Sequence, residues 1–324
     1  MNRDTPTPAF GAPLPAPGLD FNASAPPLVL DFNASAPPLV LDFDASVLRI
    51  GPDEQRIALG AWRERIGFGC SRRDSARLEA FLDRVMPEAH GPVFLGSGDF
   101  HHVSLALLRR LIRAHAPVPA SLDLVILDNH PDNMLYPFGV HCGSWAGRAA
   151  ALEAVRHVHV AGITSPDIGL LHAWENDCRP FLRKKLTWWS VGRHAPFPAW
   201  IAGKEHARCF RSADALLAAF LPRLRDMESV YLSVDKDVLH PDAAYTGWDQ
   251  GLFRPEHVEA VAACCAGRLV GVDICGDYAR RSYRSIGKRL LCRLDGLEDA
   301  PPADELDVRE RGRDINVKIL EALR

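Results

Sequence analysis

An α/β fold, a mostly parallel sheet with helices on both faces, is predicted by three features of the sequence. Segments of helical and strand period alternate from about residue 39 to residue 324, which is the order of a parallel sheet with crossover helices. Several strand segments are unbroken apolar runs, as expected of strands covered on both faces. At 324 residues, with 47% hydrophobic and 24% charged residues, the chain can bury a full core without metal or disulfide staples.

The first 38 residues stand apart. The unit LDFNASAPPLV begins at Leu19 and again at Leu30, and a diverged copy, LDFDASVLRIG, begins at Leu41. An exact short repeat marks the duplication of one segment rather than a fold built of repeats. Residues 1 to 38, Pro/Ala-rich, are therefore expected to be a disordered tail, with one domain over 39 to 324. Within it, residues 40 to 43 are the first expected strand. SARLEAFLDRVM (75 to 86) has helical spacing with Asp74 as N-cap, and GPVFLG (91 to 96) reads as a short strand closed by glycine. VSLALLRRLIRAH (103 to 115) is amphipathic, and LDLVILD (122 to 128) and VHVAGI (158 to 163) are buried strands. KKLTWWSVG (184 to 192) reads as strand, ADALLAAFLPRLRD (213 to 226) as helix and SVYLSVD (229 to 235) as a long buried strand. PEHVEAVAACCA (255 to 266) then reads as helix, RLVGVDI (268 to 274) as strand, and a last helix falls within DINVKILEALR.

Composition excludes several functions. With 38 basic against 41 acidic residues the net charge is -3, so no cationic field gathers nucleic acid or anionic lipid. No apolar run approaches the roughly 20 residues that span a bilayer. The start lacks the apolar core of a secretory signal, so a cytoplasmic location is expected. Eight cysteines without any CxxC fit buried thiols rather than a disulfide framework or thiolate zinc site. GxSxG and P-loop motifs are absent from the sequence.

In parallel sheets the working residues lie just past the carboxyl ends of the strands. Three such places are rich in Asp and His. LVIL runs into Asp128-Asn129-His130-Pro131-Asp132, whose two carboxylates and imidazole would face one way in extended chain; Pro131 disfavours helix at His130. VYLSV runs into Asp235-Lys236-Asp237, two carboxylates on one side and Lys236 on the other. VFLG runs into Gly96-Ser97-Gly98-Asp99-Phe100-His101-His102. Carboxylates packed so closely would raise one another's pKa sharply without cations. Two divalent ions resolve the conflict, and oxygen and nitrogen ligands without cysteine suit a fairly hard ion such as manganese, with zinc, iron and cobalt as alternatives. An Asp-x-Asp pattern alone carries little weight, since Asp42 and Asp44 form another, and an Asn/Asp/Pro turn is the bland reading of 128 to 132. The ordered placement at strand ends favours the metal reading.

That ordered set of loop, Asp-x-His-x-Asp and Ser-x-Asp-x-Asp resembles the arginase and agmatinase ureohydrolases, over about residues 40 to 274. The resemblance implies a three-layer α/β/α sandwich and a binuclear manganese site. It makes Asp128, His130, Asp132, Asp235 and Asp237 ligands, with His101 preferred over His102 as the remaining one, because GSGDFHH carries an extra residue relative to the family's GGDH and leaves both in range. It also implies a proton-shuttling histidine, His141 in GVHCG, for which an imidazole of ordinary pKa is suited. Asp132 would orient the attacking water and pass its proton to the leaving nitrogen. The sequence departs from arginases at Gly276, where they carry the glutamate that holds guanidinium, so Asp249 or Asp277 is the expected substrate partner and Trp248 a pocket wall.

The expected function is therefore binuclear-metal-dependent hydrolysis of a C–N bond in a guanidino, amidino or similar small substrate. Alternatives are a zinc deacetylase-like amidohydrolase and a catalytically inactive arginase-fold binding protein. The family's trimers and hexamers imply a homo-oligomer. Elsewhere, Trp188, Trp189 and Trp200 read as core or interface, residues 280 to 284 as a solvated loop, and His157 and His159 as structural.

Overall fold

The computed structural model describes residues 32–294, 297 and 302–324. Its strands are β1 (Leu39–Asp42), β2 (Gln55–Ala58), β3 (Gly69–Ser71), β4 (Val93–Gly96), β5 (Leu122–Leu127), β6 (Gly139–His141), β7 (Val155–Ile163), β8 (Leu186–Val191), β9 (Ala207–Phe210), β10 (Val230–Asp235) and β11 (Leu269–Cys275). Nine of them form one sheet in the order β2-β1-β4-β11-β10-β5-β7-β8-β9, with every neighbouring pair parallel. β3 and β6 form a separate antiparallel ribbon.

Alternate residues of each strand face opposite layers. On one face Leu39, Leu41, Leu122, Leu124 and Ile126 join Leu78 and Leu82 of the helix Arg72–Val85 and Leu105 and Leu108 of the helix Val103–His115. On the other, Val40, Val125, Leu127, Val230 and Leu232 join Leu216 and Phe220 of Ala213–Arg225, Val258 and Val261 of Pro255–Cys265, and Ile315 and Ile319 of Glu305–Ala322. The result is a three-layer α/β/α sandwich. Each such aliphatic side chain contributes about 1.5–3 kcal/mol relative to exposure.

Several expectations need correction. β2 and β9 escaped the sequence reading because they are the two edge strands, half-exposed and without an apolar run. Ser71, not Asp74, caps the helix Arg72–Val85: its Oγ accepts from Asp74 N (3.1 Å). The last helix begins at Glu305, well before the apolar stretch that announced it. β1 spans the junction of the second and third repeat copies, the second copy's final Leu39 and Val40 being strand. Residues 1–31 of the expected tail lie outside the described residues. In the rest, Pro37 O accepts from Gly91 N and Pro38 O from Gln55 N, both at 2.9 Å. Trp188 and Trp189 are core, whereas Trp200 is 81% exposed. Among the described residues no disulfide forms, and no helix is long and apolar enough to cross a membrane.

His157 and His159 sit on β7 within the layer. His159 Nδ1 accepts from Trp189 Nε1 (3.2 Å), and His157 Nε2 lies 2.9 Å from Thr187 Oγ1. Burial holds both imidazoles neutral, His157 at about 4 and His159 well below its usual value. The unfolded chain takes up these protons near pH 6.5, so their neutral state contributes stability above that pH that is lost as pH falls toward 4. His157→Gln is expected to remove about 2 kcal/mol of the stability lost between pH 6.5 and 5, read by urea unfolding at the two pH values. Equal pH dependence in the variant and the parent would contradict this.

Candidate metal centre

Adjacent placement of β4, β11, β10 and β5 brings four carboxyl ends to one edge of the sheet. After β4 the chain passes through a single turn, Gly98–Phe100, and presents His101 at the start of the next helix. His101 Nδ1 lies 3.2 Å from Asp128 Oδ2, 3.0 Å from Asp132 Oδ2 and 3.5 Å from Asp235 Oδ2. Its other nitrogen, Nε2, is 3.0 Å from Ser233 Oγ. Ser233 in turn donates to the fully buried Asp273 (2.6 Å), which also accepts from Ser104 Oγ (2.8 Å) and Tyr231 OH (2.6 Å). This buried network fixes the orientation of the ring, as outer hydrogen bonds do for ligating histidines. His102 faces away, with Nε2 3.9 Å from Cys70 Sγ.

A second group forms around His130, whose Nδ1 is 2.9 Å from Asp237 Oδ2 and 3.5 Å from Asp128 Oδ1. Asp128 thus reaches His101 with one oxygen and His130 with the other. Asp237 is held by Asn129 N (3.0 Å), and Asp235 Oδ1 accepts from Asp237 N (3.1 Å). The 128 to 132 segment is not extended throughout: Asp132 adopts φ +44°, and this left-handed turn carries its carboxylate back toward His101.

The chemistry of this donor set fits divalent cations. In each of the sets His101/Asp128/Asp132 and Asp128/His130/Asp237, one donor atom from every residue lies within 4.8 Å of the others. Asp128 Oδ2 and Asp132 Oδ2 are buried yet receive no hydrogen bond among the described residues. Burial pushes Asp132 up to about 7, with the Asp128 charge adding to the shift. Burial likewise raises Asp235, and raises Asp237 strongly, each with help from neighbouring carboxylates. Burial acts against Asp128 too, but His101 and His130 outweigh it and hold this carboxyl low. Carboxylates buried this close together are what a cation relieves.

Above the carboxylates opens a cavity of about 480 Å³. Trp248 walls it, stacked on Phe68 and held by a hydrogen bond from Nε1 to Asp99 Oδ1 (3.2 Å). Asp99 also accepts from Arg281 Nε (3.1 Å) and Tyr283 OH (2.5 Å), so residues 280 to 284 are not simply a solvated loop. His141 lines the cavity, its Nδ1 accepting from Gly143 N (3.0 Å). Burial lowers it to about 4, so it is neutral near pH 7 rather than poised to titrate there. Asp249 also lines the cavity, tied to Asn129 Nδ2 through its carbonyl (3.0 Å) and carboxylate (3.3 Å). Asp167 and Glu175 complete an acidic rim that the sequence reading missed. Asp167 could have been found by extending the strand-end rule to β7, which is followed by Thr164-Ser165-Pro166-Asp167.

Asp277 is not part of the cavity. It is buried and accepts from Lys236 Nζ (2.5 Å) and Asn316 Nδ2 (3.2 Å). Its expected contact with substrate is therefore withdrawn. Gly276 has a structural reason to lack a side chain: φ is +88°, and a Cβ there would stand 2.5 Å from Asp235 Oδ1 and 2.6 Å from Lys236 N. Gly276→Glu is expected to displace Asp235 rather than create a guanidinium partner, and to cost more than about 1 kcal/mol from the backbone conformation alone. Urea unfolding together with metal content checks this; a variant with parental stability and metal content would contradict it.

The fold is that of the arginase-like amidino hydrolases. Among solved structures, proclavaminate amidino hydrolase from Streptomyces clavuligerus overlays with a TM-score of 0.51 at 15% identity, covering 92% of this chain and 96% of that one. A Trypanosoma cruzi formiminoglutamase variant with Mn²⁺ overlays with a TM-score of 0.51 at 12% identity, covering 91% and 95%. In sequence, an uncharacterized protein of Thermotoga maritima is 27% identical over 197 residues, 60% of this chain and 62% of that protein. The match thus spans less than two thirds of that relative. No family model matches the chain.

Proposed function

We propose that residues 39–324 form a metal-dependent hydrolase of a C–N bond in a small guanidino or amidino compound. The observation that carries this reading is the convergence of Asp128, Asp132 and Asp235 on one imidazole nitrogen, with two buried carboxylate oxygens lacking hydrogen bonds. His101, Asp128, Asp132 and Asp235 would hold one divalent ion, and Asp128, His130 and Asp237 a second, of the manganese type. Ions bound there supply Lewis acidity and acidify water at neutral pH. The chain's own residues do the rest. Asp132 faces the cavity floor and carries a proton toward the leaving nitrogen. His141 is neutral, and its bond from Gly143 N assigns the ring proton to Nε2, the arrangement of a relay between solvent and the floor. Asp167, Glu175 and Asp249 attract an amidinium cation, and Trp248 walls the cavity beside them. A homo-oligomer accompanies this reading as an expectation of the resemblance, and a cytoplasmic location as an expectation of the sequence.

Elemental analysis of purified protein followed by an ammonia- and urea-release screen over guanidino and amidino compounds tests it. About two divalent ions per chain and turnover of such a compound are expected, with L-arginine poor because Gly276 supplies no carboxylate. A single zinc with deacetylase activity would refute it, whereas arginine kcat/KM at or above about 10⁴ M⁻¹s⁻¹ would overturn only the expectation drawn from Gly276.

A further inference from the structure

β11 lies between β4 and β10, so a fourth strand end meets the carboxylate cluster. Its last residue is Cys275, level with Asp235 in the β10–β11 register and fully buried. Cys275 Sγ donates to Asp235 Oδ2 at 3.0 Å. The sulfur, an imidazole nitrogen of His101 and a carboxylate oxygen of Asp235 all lie within 4.8 Å of one another. The buried oxygens of Asp128 and Asp132 that receive no hydrogen bond among the described residues lie 3.2 and 3.0 Å from His101 Nδ1. A soft donor therefore stands beside the harder donors on one side of the centre. The Asp128/His130/Asp237 group offers only oxygen and nitrogen donors.

We infer that Cys275 is a thiolate ligand of the ion at the His101 position, and that this position selects a thiophilic divalent ion of the zinc or cobalt kind over manganese. The inference rests on the metal-centre reading above and refines it. On binding, the S–H bond breaks, a metal–sulfur bond forms, and the proton leaves for solvent by way of the Asp235 oxygen that now accepts it. Thiolate favours zinc and cobalt over manganese more than carboxylate does, so two chemically different ions occupy the pair. A sulfur that only holds Asp235 in place would leave both positions hard.

Cobalt loading of the full chain decides between the two roles. Bound cobalt is expected to show a near-ultraviolet sulfur-to-cobalt charge-transfer band. Cys275→Ser should lose the band while still binding cobalt, and Cys142→Ser, which alters a thiol that lines the cavity, should keep it. X-ray absorption of the zinc-loaded parent needs no variant and should show one sulfur at about 2.3 Å. In competition, Cys275→Ser should lower the preference for zinc over manganese at least about tenfold. Two bound ions with no sulfur in the zinc shell, or a band that survives Cys275→Ser, would overturn the inference and leave the hydrolase reading standing. Failure to bind any divalent ion would overturn both.

Discussion

Asp128→Ala is expected to empty both metal positions at once. Asp128 alone among the described acidic residues faces His101 with one oxygen and His130 with the other, at 3.2 and 3.5 Å. Removing Asp237 would deprive one group of a donor; removing Asp128 deprives both and leaves the two imidazoles without their shared counter-charge. Metal content should fall from about two ions to near none, and turnover by at least about a thousandfold, equivalent to about 4 kcal/mol of transition-state stabilisation. Elemental analysis and steady-state kinetics at saturating metal measure the two effects. A variant that still holds both ions would show that Asp128 is not shared. Circular dichroism should be nearly unchanged, because the carboxylate projects into the cavity floor and packs no core.

Lys236→Met is expected to be the most destabilising single change. Lys236 lies between the two site carboxylates in sequence but points the opposite way, with no exposed surface. Its ammonium donates to Asp277 Oδ1 (2.5 Å) and Asn316 Oδ1 (2.8 Å), tying the end of β10 to the helix Glu305–Ala322. Methionine fills similar volume but leaves the Asp277 carboxylate buried without its ion-pair partner, which costs about 3–5 kcal/mol. Burial already raises the Asp277 pKa, with Lys236 restraining the rise. Without Lys236 the folded state holds its proton more tightly than the unfolded state does, so the variant should regain stability as pH falls from 7 toward 5. Adding Asp277→Asn should restore most of the loss, because the penalty belongs to the unpaired charge. Urea unfolding of the single and double variants reads this directly. A single-variant loss below about 1 kcal/mol would mean that the pair is worth no more than a surface ion pair.

Residues legible in the sequence were those whose role depends on position along one strand. The apolar runs at 122–127 and 230–235 announced central strands because a strand covered on both faces cannot alternate. The rule that function gathers at carboxyl ends then led to Asp128, His130, Asp132, Asp235 and Asp237. The edge strands 55–58 and 207–210 were silent, since a half-exposed strand has no need of an apolar run. Asp99 and Asp277 were equally opaque. Both are aspartates beside the cluster in sequence, yet one anchors Trp248, Arg281 and Tyr283 while the other pairs with Lys236.

The sequence by itself determined the layered α/β architecture and the strand-end candidates Asp128, His130, Asp132, Asp235 and Asp237, because periodicity and strand-end chemistry are local properties of the chain. Tertiary structure alone decided that His101 rather than His102 meets the carboxylates and that Gly276 can bear no side chain. It alone brings Asp167 and Glu175 to the rim and Cys275 against Asp235. These outcomes turn on sheet order and backbone direction. β11 lies between β4 and β10 although it follows both in the chain, and distances set by that insertion span residues far apart in sequence.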